Sequence, residues 1–142
     1  MQTFAVTLGR GLLGLYFLLP GISKVTGYRG TLDYMALHNI PLPEVLLPIT
    51  IVLQIGGGLM LIFGLRVGQI ALMFAALTLA INMGMHDFWN TYEGVDAGRE
   101  TQNFVKNLAI FAGLLVMSGA EGLPQHRFFG RGSSGFSVRL RG

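Results

Sequence analysis

The sequence predicts an all-α protein, a transmembrane four-helix bundle with a short interfacial helix between spans one and two. Three observations lead there. Four apolar stretches, residues 4–23, 45–64, 67–86 and 104–120, each approach the ~20 residues that a helix needs to cross ~30 Å of hydrocarbon. Charged residues are 12% of the 142 and hydrophobic residues 51%, where a soluble domain carries ~25% charged. The stretches nonetheless hold Lys24, Gln54, Asn82, His86 and Lys106, groups that are expensive in lipid and face a protein interior or a watery cavity instead.

The first stretch reads as a retained span and not a secretory signal. Arg10 interrupts its apolar run, no A-x-A-like cleavage site follows, and Pro20-Gly21 suits a kinked transmembrane helix. The connection from Gly27 to Glu44 is too long for a plain turn. Leu32, Met35, Ala36 and Ile40 recur in it at helical spacing, which predicts the interfacial helix, stopped by Pro41-Leu42-Pro43. Span two then begins near Val45, with Pro48 tolerated in its first turn. Gly64-Leu65-Arg66 is short enough to make spans two and three antiparallel neighbours. Span three closes in His86-Asp87-Phe88-Trp89-Asn90, a mixture suited to the headgroup level. Helix resumes near Arg99 and stops at Glu121-Gly122-Leu123-Pro124.

Four spans use nearly all the chain, so residues 1–125 form one bundle and 126–142 a flexible basic tail. The absence of cysteine removes disulfides and thiol chemistry. Scattered positive charges argue against a nucleic-acid partner. Basic loop residues favour cytoplasmic termini: Arg10, Arg66, Arg127, Arg131, Arg139 and Arg141 would lie inside, against Lys24, Arg29, Arg99 and Lys106 outside. Arg10, Arg127 and Arg131 are the expected membrane-surface contacts.

Residues three, four or seven apart share a helix face. That groups Tyr16, Ser23 and Lys24 on span one, and Thr50 and Gln54 on span two. Spans three and four contribute Thr78, Asn82 and His86, and Asn103, Lys106 and Asn107. Converging faces would make one polar cleft open to the outside and floored near Gln54. Each member has an ordinary explanation: lysines near helix ends snorkel, and a membrane amide forms a structural interhelical bond. The candidate ligand-binding set is Lys24, Gln54, Asn82, His86, Trp89, Lys106 and Asn107. No metal site is expected, because adjacent His86 and Asp87 diverge on a helix and His38 is poorly placed to join them. The rows Ala76-Ala80-Gly84 and Ala109-Gly113 read first as packing faces within the bundle.

The chain also resembles the DoxX family of small four-helix membrane proteins. The likeness rests on Arg10, Pro20-Gly21-Ile22-Ser23-Lys24, Gly27-Tyr28, Pro41-Leu42-Pro43-Glu44, Gln54-Ile55-Gly56-Gly57-Gly58-Leu59, His86-Asp87-Phe88-Trp89 and Phe104-Val105-Lys106-Asn107-Leu108. It spans residues 8 to 124. Family members often carry glutamate where this chain has Gln54, so any role needing an ionisable carboxylate there does not transfer. The resemblance implies a multi-pass bacterial inner-membrane protein with both termini cytoplasmic. It implies an accessory or quinone-interacting subunit of a respiratory or redox complex more than a stand-alone enzyme. Quinone is thus the expected cofactor, and the lipid bilayer with a membrane protein or a second copy the expected partners. A structural assembly partner and a small solute transporter are the rival readings.

Overall fold

The computed structural model describes residues 2–121, so the expected tail with Arg127 and Arg131 lies outside the described residues. Five helices follow one another: α1 (Gln2–Thr26), α2 (Tyr28–Leu37), α3 (Pro43–Phe63), α4 (Val67–Met85) and α5 (Ala97–Ala120). There is no strand among the described residues. All but α2 are long and apolar enough to cross a membrane. In hydrocarbon a helix pairs its backbone groups within itself, which explains why α1 runs unbroken through Pro20 even though proline removes one backbone bond.

The Pro-Leu-Pro segment acts differently from expectation. The short helix already ends at Leu37, where Asn39 turns to a φ of 55°. Pro43 instead opens α3, two residues before the expected start. Proline suits that first helical position, having no N–H to leave unpaired and a preset φ. At the opposite end, α3 closes on Gly64 with a φ of 76°. The Leu65 N–H reaches the Met60 carbonyl at 2.8 Å and the Gly64 N–H the Leu61 carbonyl at 3.1 Å, a glycine-dependent helix stop. α5 begins at Ala97, earlier than the apolar pattern suggests, because Asp96 caps it by accepting from the backbone of Gly98 and Arg99.

α1 packs chiefly against α3, and α4 against α5. The α1–α3 seam depends on missing side chains. A Cβ on Gly14 would lie 2.7 Å from the Gly58 carbonyl oxygen, and one on Gly58 would lie 2.8 Å from that of Gly14. The two pairs meet around Phe17 and Phe74, whose rings stack at 3.8 Å among buried Leu61, Ala71, Ala75 and Leu114. Gly57 gives Phe74 its space, since a Cβ there would sit 2.7 Å from the ring.

The small-residue rows divide. Gly84 makes room inside the fold for Ile40, but Ala76, Ala109 and Gly113 face outward. Gly14→Ala is therefore expected to force α1 from α3 and lower stability by about 2 kcal/mol, the usual scale of overpacking. Gly113→Ala, with nothing near its added carbon, should leave the thermal midpoint in detergent unchanged.

Candidate functional site

The polar side chains gather at the α2 end of the bundle, where α1 finishes, α3 begins and α4 hands over to α5. The deepest group is a chain of amides. Asn82 Nδ2 donates to the Phe104 carbonyl at 3.1 Å, Asn107 Nδ2 to Asn82 Oδ1 at 3.2 Å, and the Tyr16 hydroxyl to Asn107 Oδ1 at 3.1 Å. This chain joins α1, α4 and α5, with Asn82 only 1% exposed. Such satisfied interhelical bonds fix helix register.

Glu100 lies above it, in the first turn of α5 and 6% exposed. One carboxylate oxygen accepts from the Tyr34 hydroxyl of α2 at 2.8 Å. The other meets His86 Nδ1 at 2.5 Å. The Tyr34 hydroxyl also lies 3.4 Å from the Met85 carbonyl. One acid thus ties α2, the end of α4 and α5 together. Burial, followed by the bond and charge of Glu100, pushes the Tyr34 phenol well above its ordinary range, so Tyr34 stays a neutral donor.

A second cluster surrounds Asp87. Its Oδ2 accepts from Asn90 at 2.7 Å and from Tyr92 at 2.6 Å, and its Oδ1 faces His38 Nε2 at 3.6 Å. Burial pushes the Asp87 carboxyl up. Bonds from Asn90, Tyr92 and its own backbone, with the His38 charge, outweigh that and hold it below the usual range. The same bond to Asp87 raises the Tyr92 phenol.

Beneath α2 lies a cavity of about 170 Å³ with walls from Leu47, Thr50, Leu77, Ile81 and Met85, and Lys24 on its lining. Such a volume admits one benzene-sized ring, as an engineered ~150 Å³ cavity does. Lys24, Thr31 and Met85 also border an open vestibule that reaches Ser23 and Tyr34. Cavity and vestibule therefore share a boundary at Lys24 and Thr31.

The single hollow expected from the helix faces is divided by this arrangement. Lys24 and Thr50 line the cavity, but Lys106 is exposed and donates to Asn103 at 3.2 Å. Gln54 is 4% exposed and packs against Gly21, whose absent Cβ would lie 3.0 Å from the Gln54 Cβ. Its Oε1 has no hydrogen-bond partner. It borders neither cavity nor vestibule, because the close α1–α3 seam intervenes. Trp89 is half exposed against Phe88 and Phe104 and lines neither the cavity nor the vestibule. His86 and Asp87 do diverge, but beyond the helix: α4 stops at Met85 and His86 caps it. Arg10 packs its guanidinium against Gly64, where a Cβ would lie 2.6 Å from Nη1, placing a cation beside the C-terminus of α3.

Sequence reasoning selected neither Glu100 nor Tyr34, and weighed His38 and Asp87 only as metal ligands. One signal was available for Glu100. It stands seven residues before Asn107, on the same face of a helix that Asp96 caps.

The DoxX family model matches residues 5–87. The chain belongs to the DoxX family. This DoxX protein is 35% identical over 118 residues to the Escherichia coli K12 inner membrane protein YqjF, covering 83% of the chain and 85% of that relative. It is 28% identical over 104 residues to the inner membrane protein YphA of the same strain, covering 73% and 74%. No solved structure matches it significantly. Lys24, Gln54, Asn82 and His86 lie within the family match, and Glu100, Lys106 and Asn107 beyond it.

Glu100→Ala leaves the Tyr34 hydroxyl and His86 Nδ1 without their partner and is expected to destabilise the DoxX bundle by about 3 kcal/mol. Glu100→Gln, which still accepts from Tyr34, should lose less than half of that in thermal unfolding in the same detergent.

Proposed function

We propose that this DoxX protein is an inner-membrane accessory subunit of a respiratory or redox complex that holds a quinone-type ring beneath α2. The location follows its inner-membrane relatives in Escherichia coli. With both termini cytoplasmic, the α2 end faces the periplasm. The basic segment 126–142, with Arg127 and Arg131, is proposed to bind anionic lipid of the cytoplasmic leaflet.

The observation that carries this reading is the ring-sized apolar cavity with a single lysine at its boundary. Apolar walls accept the body of a lipid-soluble ring, and a few placed polar groups orient it. Lys24 Nζ donates to a ring oxygen, with the Thr31 and Thr50 hydroxyls beside it. Tyr34 stands in the adjoining vestibule and passes through Glu100 to His86. That line supplies proton exchange with the surface, with His86 its outer member. Asn82, Asn107 and Gln54 hold the helices around the site, while Trp89 and Lys106 sit at the lipid boundary.

A second reading, assembly partner of a larger complex, draws on the outward Ala76, Ala109 and Gly113, small residues that let another membrane helix approach. Both roles are compatible with an accessory subunit.

Purification in a mild detergent, followed by extraction and mass spectrometry, should recover quinone with the wild-type protein. Lys24→Ala removes a charge-assisted bond and should lower recovery about tenfold. Ala80 also lines the cavity, and Ala80→Phe, which fills it, should abolish recovery. Wild-type protein that carries no quinone, from membranes rich in it, would overturn the reading.

A further inference from the structure

His38 is the most enclosed titratable group at this end of the molecule. Its side chain is 0% exposed, and its ring lies between two tyrosines, 4.4 Å from Tyr34 and 4.4 Å from Tyr92. Both ring nitrogens face acceptors. Nδ1 lies 3.1 Å from the Tyr34 carbonyl oxygen, and Nε2 lies 3.6 Å from Asp87 Oδ1.

Neither neutral tautomer fits both. A proton on Nδ1 serves the carbonyl and turns the Nε2 lone pair toward a carboxylate. A proton on Nε2 serves Asp87 and turns the Nδ1 lone pair toward the carbonyl oxygen. Only the imidazolium donates on both sides. Neither His38 Nε2 nor Asp87 Oδ1 has a hydrogen-bond partner, so the two buried atoms face each other unpaired at 3.6 Å. Flanking aromatic faces also favour a cation.

His38 caps α2, and Asp87 opens the connection from α4 to α5. We infer that His38 and Asp87 form a proton-operated clasp, which in its protonated form fastens the 86–96 connection onto α2 and so keeps α2 seated over the cavity. The last part rests on the reading of that cavity as a ligand site. The fastening itself does not.

The titratable groups around His38 are few. Tyr34 faces it from α2, and Asp87 and Tyr92 from the connection. Glu100 of α5 and His86 stand one bond further, beyond the Tyr34 hydroxyl. Both phenols are shifted upward and stay neutral. Asp87, held below its usual range, stays ionised in mild acid. The clasp is therefore engaged once His38 is protonated and Asp87 is not. A neutral His38 ring can serve the Tyr34 carbonyl or Asp87 but not both, so the clasp weakens when His38 loses its extra proton, and again when Asp87 gains one.

The absence of cysteine allows a direct test, with spin labels on Arg29→Cys and Glu93→Cys, both exposed, in lipid nanodiscs. Distances between them are compared at about pH 5.5 and about pH 8.5, on either side of imidazole titration. The expected result is a single short distance in acid and about a fivefold larger long-distance population in alkali. His38→Gln should remove that dependence, and His86→Gln should keep it. An unchanged wild-type distribution overturns the clasp, as does a pH response that survives in His38→Gln or vanishes in His86→Gln. Quinone recovery from the same preparations at both pH values judges the ligand reading separately, because the label distances need no ligand.

Discussion

A single buried carboxylate holds the α2 end of this protein together. Glu100 accepts from Tyr34 on α2 and meets His86 at the close of α4, while belonging itself to α5. A charge so poorly exposed is tolerated only with partners on both oxygens, and the partners come from two other elements. Their positions are consequently interdependent. α2 lies over the bundle because Tyr34 reaches Glu100, and the cavity exists because α2 roofs a gap that the four long helices leave open. The residues that would handle a ligand and those that secure the roof are thus neighbours in one network.

The bundle below is built as two close pairs. Gly14 and Gly58 bring α1 and α3 into backbone contact, and the Asn82–Asn107 amide bond secures α4 to α5. Lipid tails provide no hydrophobic drive between helices, so close packing and satisfied polar bonds must do this work. Between the pairs, Phe17 and Phe74 fill the middle. Toward the α2 end that filling stops, and Thr50, Leu77 and Ile81 border open space. The location of the gap follows from where the large aromatic side chains run out.

Two imidazole–carboxylate contacts stand side by side at this end, in different settings. His86 is partly exposed and has a full hydrogen bond to Glu100, the arrangement of a side chain able to exchange protons with its surroundings. His38 is sealed between two tyrosine rings, with Asp87 at a longer distance. Tyr34 stands between the two contacts, bonded through its hydroxyl to Glu100 and through its carbonyl to His38.

Much of this was legible in the chain. Hydropathy alone marked four spans, because hydrocarbon thickness sets helix length and admits few charges. The Asn82 and Asn107 positions were legible too, as polar residues on faces that had to be buried. Lys106 was misjudged because a lysine near a helix end can snorkel as easily as turn inward. Pro41-Leu42-Pro43 was taken for the end of α2 when Pro43 begins α3, since proline punctuates both kinds of boundary. Local sequence, then, determined the spans, the short helix and the family. The tertiary structure alone decided which polar groups met, because Tyr34, His38, Asp87 and Glu100 sit on connections and helix ends whose side chains obey no common period. The Tyr34–Glu100 and His86–Glu100 bonds span 66 and 14 residues of sequence, and only the packed helices bring such distances to a hydrogen bond.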